Sequence, residues 1–322
     1  MADTLPDLAV VIPNYATHDL LRLNLPSVVA AADAYAGRCE VIVVDDASPE
    51  PGFDAAMREW PAIRTVQHDE NRGFPVAVRS GVDASAGDLV LLLNSDVRPE
   101  TGSFGVLASA FEDDSVFAVS PVIRDDDDSI NPYTWNVSAF KGGRLRRLRT
   151  DASRAISEGT RRPTLFCSGG STMIRCDRFL ALGGFHPLYH PYYSEDLDLG
   201  VRAWRHGWRS LFDPSASITH AREGSIRRTQ SGDRVGVVQR RNRLFFEWVH
   251  FPASRLALSV PGNILQVFTR LARGDARHAN AFSEALRQLN AVSQLRGELR
   301  NLPHDLDWIL DEVGIKAGSR GD

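Results

Sequence analysis

Short apolar runs stopped by polar residues recur along the first third of the chain, and they set its expected architecture. Leu8 to Ile12, Glu40 to Val44 and Leu89 to Leu93 are rich in Val, Ile and Leu at successive positions. Runs of that length suit strands buried on both faces. Between them the apolar spacing widens to helical. Leu20, Leu21, Leu25 and Val28 predict a helix capped by Asp19. Ala55 to Trp60 reads as a helical stretch and Ile63 to Gln67 as a short strand. Asn71-Arg72-Gly73-Phe74 makes a turn, and Pro75 fits the first position of a helix through Ala77, Val78, Val82 and Ala84, ended by Gly87. Strands alternating with helices predict an α/β fold with a mixed, mostly parallel central sheet flanked by helices.

The pattern is looser further on. Val116 to Ser120 predicts a strand, whereas Arg124 to Thr164 is polar and poorly periodic and reads largely as a long loop, mobile until a ligand orders it. Phe166 to Ile174 returns to the sheet, and Asp177 caps a short helix. Gly183-Gly184-Phe185 turns before the acidic segment Tyr193 to Asp198. A helix over Leu197 to His206 and strands near Ser210 to Asp213 and Ser217 to His220 follow. From about Gln239 the sequence is helix-rich with interleaved arginines, which places a boundary near Val235 between a domain of residues 1–235 and a helical extension of residues 236–322.

Composition narrows the function classes. The chain has 322 residues, 43% of them hydrophobic, enough for a sizeable core. A net charge of -4 and a pI of about 6.2 give no reason to expect nucleic-acid binding. Cys39, Cys167 and Cys176 have no zinc spacing, and so sparse a set points to reduced thiols in the cytoplasm. The first residues carry acids rather than a basic region before an apolar one, so no signal peptide is expected, nor any spanning helix. Asp125 to Asp128 reads as a solvated loop. Arg144, Arg146, Arg147, Arg149, Arg161 and Arg162 form a solvated face or a phosphate site.

The sharpest chemical signal is Asn94-Ser95-Asp96 directly after the Leu89 run. An acid at the carboxyl end of a central strand stands where open α/β sheets hold ligands, and it can hold a divalent cation on a diphosphate. Pro13-Asn14-Tyr15 after the first strand is no dinucleotide fingerprint, because no G-x-G-x-x-G follows. Asp45-Asp46 ends the second strand and is either a solvated turn or part of a site. Glu195-Asp196, with Tyr192-Tyr193 and Gly183-Gly184-Phe185 nearby, suggests a shaped pocket with a base at its rim. His220 ends an apolar strand, as a structural histidine or a ligand.

In order, V-I-P-N-Y, V-V-D-D-A-S, N-R-G-F, L-L-L-N-S-D, G-G-F and S-E-D-L-D-L-G-V-R resemble the family 2 glycosyltransferases, inverting enzymes of the Rossmann-like GT-A fold. The resemblance spans roughly Leu8 to Arg228. The N-x-D triplet is similar to the rhamnosyltransferase-type branch; Asn94 stands where many members have the first aspartate, so metal holding rests more on Asp96. The resemblance implies that Pro13, Asn14 and Tyr15 line a nucleotide pocket and that Asp45 or Asp46 bonds the base. Asn71, Arg72, Asn94 and Ser95 contact the donor; Asp96, with His220, binds Mg²⁺ or Mn²⁺; and Asp196 is the general base with Glu195 beside it. It implies a nucleotide-diphosphate sugar donor and a glycan or lipid-linked acceptor. The alternatives are a non-catalytic nucleotide-sugar or glycan-binding protein and a sugar-phosphate nucleotidyltransferase.

The C-terminal region interleaves residues such as Phe245, Leu258, Leu265 and Phe268 with Arg240, Arg255, Arg270 and Arg273. Pro252 and Pro261 are expected to break it into short helices. The readings are a helical cap, a homodimer contact, or a peripheral surface at the inner face of the cell membrane.

Overall fold

A computed structural model describes residues 5–220 and 232–316. Its core is a mixed sheet. Strands β1 (Leu8–Asn14), β2 (Cys39–Asp45), β3 (Arg64–Gln67) and β4 (Leu89–Leu93) run parallel in the order β3-β2-β1-β4. Alternation on each strand explains why both faces are apolar. Val10, Ile12, Val43, Leu89, Leu91 and Leu93 pack in one cluster, while Ala9, Val11, Ile42, Val44, Val90 and Leu92 pack in another. Helix α1 (His18–Asp33) covers the first face and α3 (Phe74–Ala84) the second. A Cβ on Gly81 of α3 would meet Val11 at 2.4 Å, so only glycine lets this helix lie so close to the sheet.

The sheet then changes direction. Strand β10 (Ser171–Arg175) is antiparallel to β4 and to β6 (Val116–Asp125). Strand β11 (Arg209–His220) runs parallel to β6 and antiparallel to β5 (Val97–Pro99). The two strands expected near Ser210 and Ser217 are therefore one strand, irregular between Phe212 and Ser217. The strand expected from Phe166 starts only at Ser171. This topology sets Asn14, Asp45, Asn94 and the Gly169-Gly170 approach to β10 along one edge of the sheet.

Two expectations are corrected. The segment expected as a loop holds the hairpin β7 (Ser138–Lys141) and β8 (Arg144–Arg147), helix α5 (Ala152–Glu158) and β9 (Arg162–Pro163). Trp135, Val137, Ala155 and Leu165 anchor it in a third apolar cluster, so sparse apolar positions sufficed to order it. Pro261 does not break a helix. It lies inside the continuous helix Ala253–Leu271, with Pro261 and Ala257 on the exposed side, where water meets the carbonyl that the missing N–H leaves free.

Helix α2 spans Phe53–Met57 and α4 Ser103–Ala108, and helices α6 (Cys176–Ala181) and α7 (Glu195–Arg205) precede the C-terminal set. That set comprises α8 (Gly232–His250), α9 (Ala253–Leu271), α10 (Arg277–Leu286), α11 (Leu289–Glu298) and α12 (Leu306–Lys316). Val235 falls within α8. Phe245, Val249, Val292, Leu306 and Ile309 share the third cluster with Tyr189, Val201, Trp204 and Phe212 from before it. No described helix is long and apolar enough to cross a membrane.

Candidate active site

A cavity of about 320 Å³ opens where the parallel strands end. Pro13, Asn14, Tyr15, Asp46 and Asn71 line it, as do Asn94, Ser95, Asp96, Glu195 and Asp196. Ten residues singled out in the sequence thus converge, from segments as far apart as β1 and α7. Of the rest, Asp45 lies behind the wall. Its carboxylate accepts from Asn14 Nδ2 at 2.8 Å and Ser48 Oγ at 2.6 Å, which fixes the β1 exit. Arg72 is not on the lining; its half-exposed side chain turns toward Glu70, 3.8 Å away. Its backbone N–H, with that of Gly73, donates to Asp46 at 2.9 and 2.7 Å. Asp46 thereby pins the turn that carries Asn71 to the cavity, while His68 Nδ1 bonds the same carboxylate at 2.7 Å.

Strand pairing explains the position of Asp96. Val97 opens β5 and faces His220 on β11. That register brings His220 Nε2 to 3.5 Å from Asp96 Oδ1. Ser95 bonds Thr17 through its hydroxyl at 2.8 Å and accepts from Asn24 through its carbonyl at 2.8 Å, tying the triplet to α1. Asn94 closes the other side: a Cβ on Gly170 would stand 2.3 Å from its amide. A side chain at Gly170 would therefore displace the Asn94 amide from a wall that sequence patterning did not mark.

At the first turn of α7, Glu195 is buried and Asp196 is partly buried. Tyr193 and Ser194 enter it with φ of 73° and 71°, a left-handed conformation that non-glycine residues adopt at a cost. Asp196 accepts from the Leu197 N–H at 2.8 Å, and Glu195 Oε2 is buried with no hydrogen-bond partner among the described residues. Burial, then the negative charge of Asp196, pushes the Glu195 carboxyl up to about 8. Burial also raises Asp196 to about 6, against backbone N–H groups that favour its charged form. The two carboxyls lose their protons as a pair, above the ordinary carboxylate range.

The support for this strained entry comes from α8, a contribution sequence reasoning missed. Asn242 is fully buried, and its Nδ2 lies 2.8, 2.9 and 2.8 Å from the carbonyl oxygens of Tyr189, Tyr192 and Tyr193. Arg241 donates to the His190 carbonyl and to Asn242 Oδ1. A buried amide within an Arg-rich helix was the available signal. Gly183-Gly184-Phe185 acts from behind the wall: Phe185 packs on Phe74 of α3 with ring centroids 5.6 Å apart. In the same turn as the acidic pair, Asp198 accepts from Arg202 Nε at 2.7 Å and bonds His250 Nε2 at 2.8 Å, joining α7 to α8.

Comparisons with known proteins agree with this geometry. Residues 9–181 match the model of glycosyl transferase family 2. The chain is a member of that family. It is 30% identical, over 250 residues, to the N-acetylglucosaminyl-diphospho-decaprenol L-rhamnosyltransferase of Mycobacterium tuberculosis, covering 71% of this chain and 79% of the relative. It is 28% identical to the succinoglycan biosynthesis protein ExoO of Rhizobium meliloti, over 72% of this chain and 66% of that one. Among solved structures, GalNAc-T7 with UDP, GalNAc and Mn²⁺ superposes with a TM-score of 0.65 at 14% identity, over 99% of this chain and 58% of that one. The mannosyltransferase PcManGT of Pyrobaculum calidifontis, in complex with GDP-Man and Mn²⁺, gives 0.54 at 17% identity, over 99% and 91%. The expected GT-A fold and glycosyltransferase class are thus borne out.

A second concavity, about 810 Å³, lies among the C-terminal helices. Its charges are largely paired with one another, Arg277 with Asp275 at 2.7 Å and Arg234 with Glu284 at 2.6 Å.

Proposed function

We propose that this glycosyltransferase moves a sugar, with inversion, from a nucleotide-diphosphate donor to a hydroxyl of a glycan or lipid-linked acceptor. The observation that carries the reading is the placement of Asp96 and the Glu195–Asp196 pair on one cavity at the strand ends. Pro13, Tyr15, Asp46 and Asn71 line its nucleotide end, with Asn94 and Ser95 toward the diphosphate. The acceptor hydroxyl attacks the anomeric carbon from the face opposite the diphosphate. Asp196 takes the hydroxyl proton as the new bond forms, and the nucleoside diphosphate departs with the electrons of the broken bond. Glu195, held neutral beside it, spares Asp196 a second buried negative charge.

Asp96 and His220 fit a divalent metal. One carboxylate and one imidazole converge to 3.5 Å, too few ligands for a closed protein cage but suited to Mg²⁺ or Mn²⁺ that completes its shell with phosphate oxygens and water. When bound, the metal would stabilise charge developing on the leaving diphosphate. A lipid-linked acceptor is supported by the name of the mycobacterial relative, whose own acceptor carries decaprenol. Calorimetric titration tests the donor half. Asp96→Ala should weaken binding of a nucleoside diphosphate with Mn²⁺ at least tenfold, while the free nucleoside binds as before. Equal diphosphate affinity in the variant, or full wild-type activity in excess chelator, would remove Asp96 from the metal role.

A further inference from the structure

Helix α9 buries little of itself. Of its 19 residues only Ser259 is fully buried. Leu258, Leu265, Phe268 and Leu271 are 62%, 64%, 66% and 50% exposed, an apolar stripe at helical spacing. Scattered exposed leucines need no explanation, but a continuous stripe marks an interaction surface. Its charge is one-sided. Residues 253–273 contain Arg255, Arg270 and Arg273 and no acid. Arg255 is used internally, over the Phe140 ring at 4.4 Å and beside Asp307 at 3.4 Å. Arg270 and Arg273 are exposed and have no acidic partner among the described residues.

The β7–β8 hairpin extends the same character. Its turn sits on α9, where a Cβ on Gly143 would stand 3.3 Å from Leu258. Lys141 and Arg144 pair across that turn. Arg146 of the hairpin places further positive charge beside Arg144, whereas Arg243 of α8 is paired with Glu247 at 3.1 Å. Cations from the hairpin and from the end of α9 therefore border one apolar stripe. A second copy docked stripe to stripe would set arginines against arginines, which disfavours association. A surface of negative headgroups over acyl chains matches both features at once.

We propose that the outer face of α9, bordered by the hairpin turn, seats this protein on the surface of an anionic lipid bilayer. The purpose of that seat rests on the lipid-linked reading of the acceptor; the binding itself does not. Flotation of the full chain with vesicles, without donor or acceptor, separates the two. Wild type should float with vesicles containing phosphatidylglycerol and not with phosphatidylcholine alone, and salt should release it. Leu265→Glu with Phe268→Glu should lower partitioning at least tenfold, and each of Arg270→Gln and Arg273→Gln roughly fivefold. All four positions are exposed, and unchanged melting and donor binding would confirm intact variants. The proposal is overturned by no flotation at low salt, by flotation that the glutamates leave unchanged, or by a lipid-free dimer that they dissolve without any vesicle binding. Success with vesicles but no transfer to any lipid-linked acceptor would count against the acceptor reading alone.

Discussion

Three carboxylates share the first turn of α7, Glu195 and Asp198 buried and Asp196 partly so, and they are treated in opposite ways. Asp198 faces inward, where burial would raise its pKa but the Arg202 charge and the hydrogen bonds from Arg202 and His250 together hold it well below the usual range. Burial lowers His250 to about 4, so the imidazole is neutral near pH 7 and Arg202 carries the balancing charge. Glu195 and Asp196 face the cavity, with no cation or imidazole among their hydrogen-bond partners in the described residues. Their pKa values rise instead. One stretch of helix thus separates an acid that holds the fold from acids available for proton transfer, and the difference lies in which partners the fold supplies.

The comparison can be broken at either end. The largest effect is expected from Asp196→Asn, which should leave folding and donor binding intact while transfer falls by about 10² to 10⁴. Near-normal turnover in the purified variant would take the base away from Asp196. On the structural side, Asp198→Ala should cost about 3–5 kcal/mol, because it strands Arg202 in the core. A denaturant titration would show it as a lower midpoint, and a loss under 1 kcal/mol would mean the network is not what joins α7 to α8.

A smaller effect sharpens the contrast. Glu195 has a raised folded-state pKa, so the native state keeps a proton that the unfolded chain gives up. Its stabilisation is present below the ordinary carboxylate pKa and is lost as pH rises toward about 8. Glu195→Gln removes that loss. Its melting temperature should exceed the wild-type value by at least about 2 °C at pH 8.5, with the gap shrinking toward pH 5. A gap independent of pH would show that Glu195 is already ionised in the fold.

Much of this was legible in the residues. The Leu89 to Leu93 run suited a strand covered on both faces, which puts the acid following it at the sheet edge. The acids before α7 were legible for the same reason. Other parts were not. Strand β5 is three residues long and exists because β11 pairs with it, yet it sets the Asp96–His220 approach. The β7–β8 hairpin has arginine at alternate and adjacent positions, which masks its strand period until Phe140 meets Phe251. Asn242 bonds backbone carbonyls some fifty positions away, and no local pattern announces that. What escaped the sequence were contacts that only tertiary folding creates.

The central claim is that Asp196 acts as base from a carboxyl pair whose protons are held above the ordinary range. The pH dependence of kcat/KM, with metal and donor binding followed separately, tests it most directly. A base works only when ionised, so the rate should fall as pH drops through an apparent value near 6. A profile flat down to pH 5, with donor binding also constant, would contradict the account.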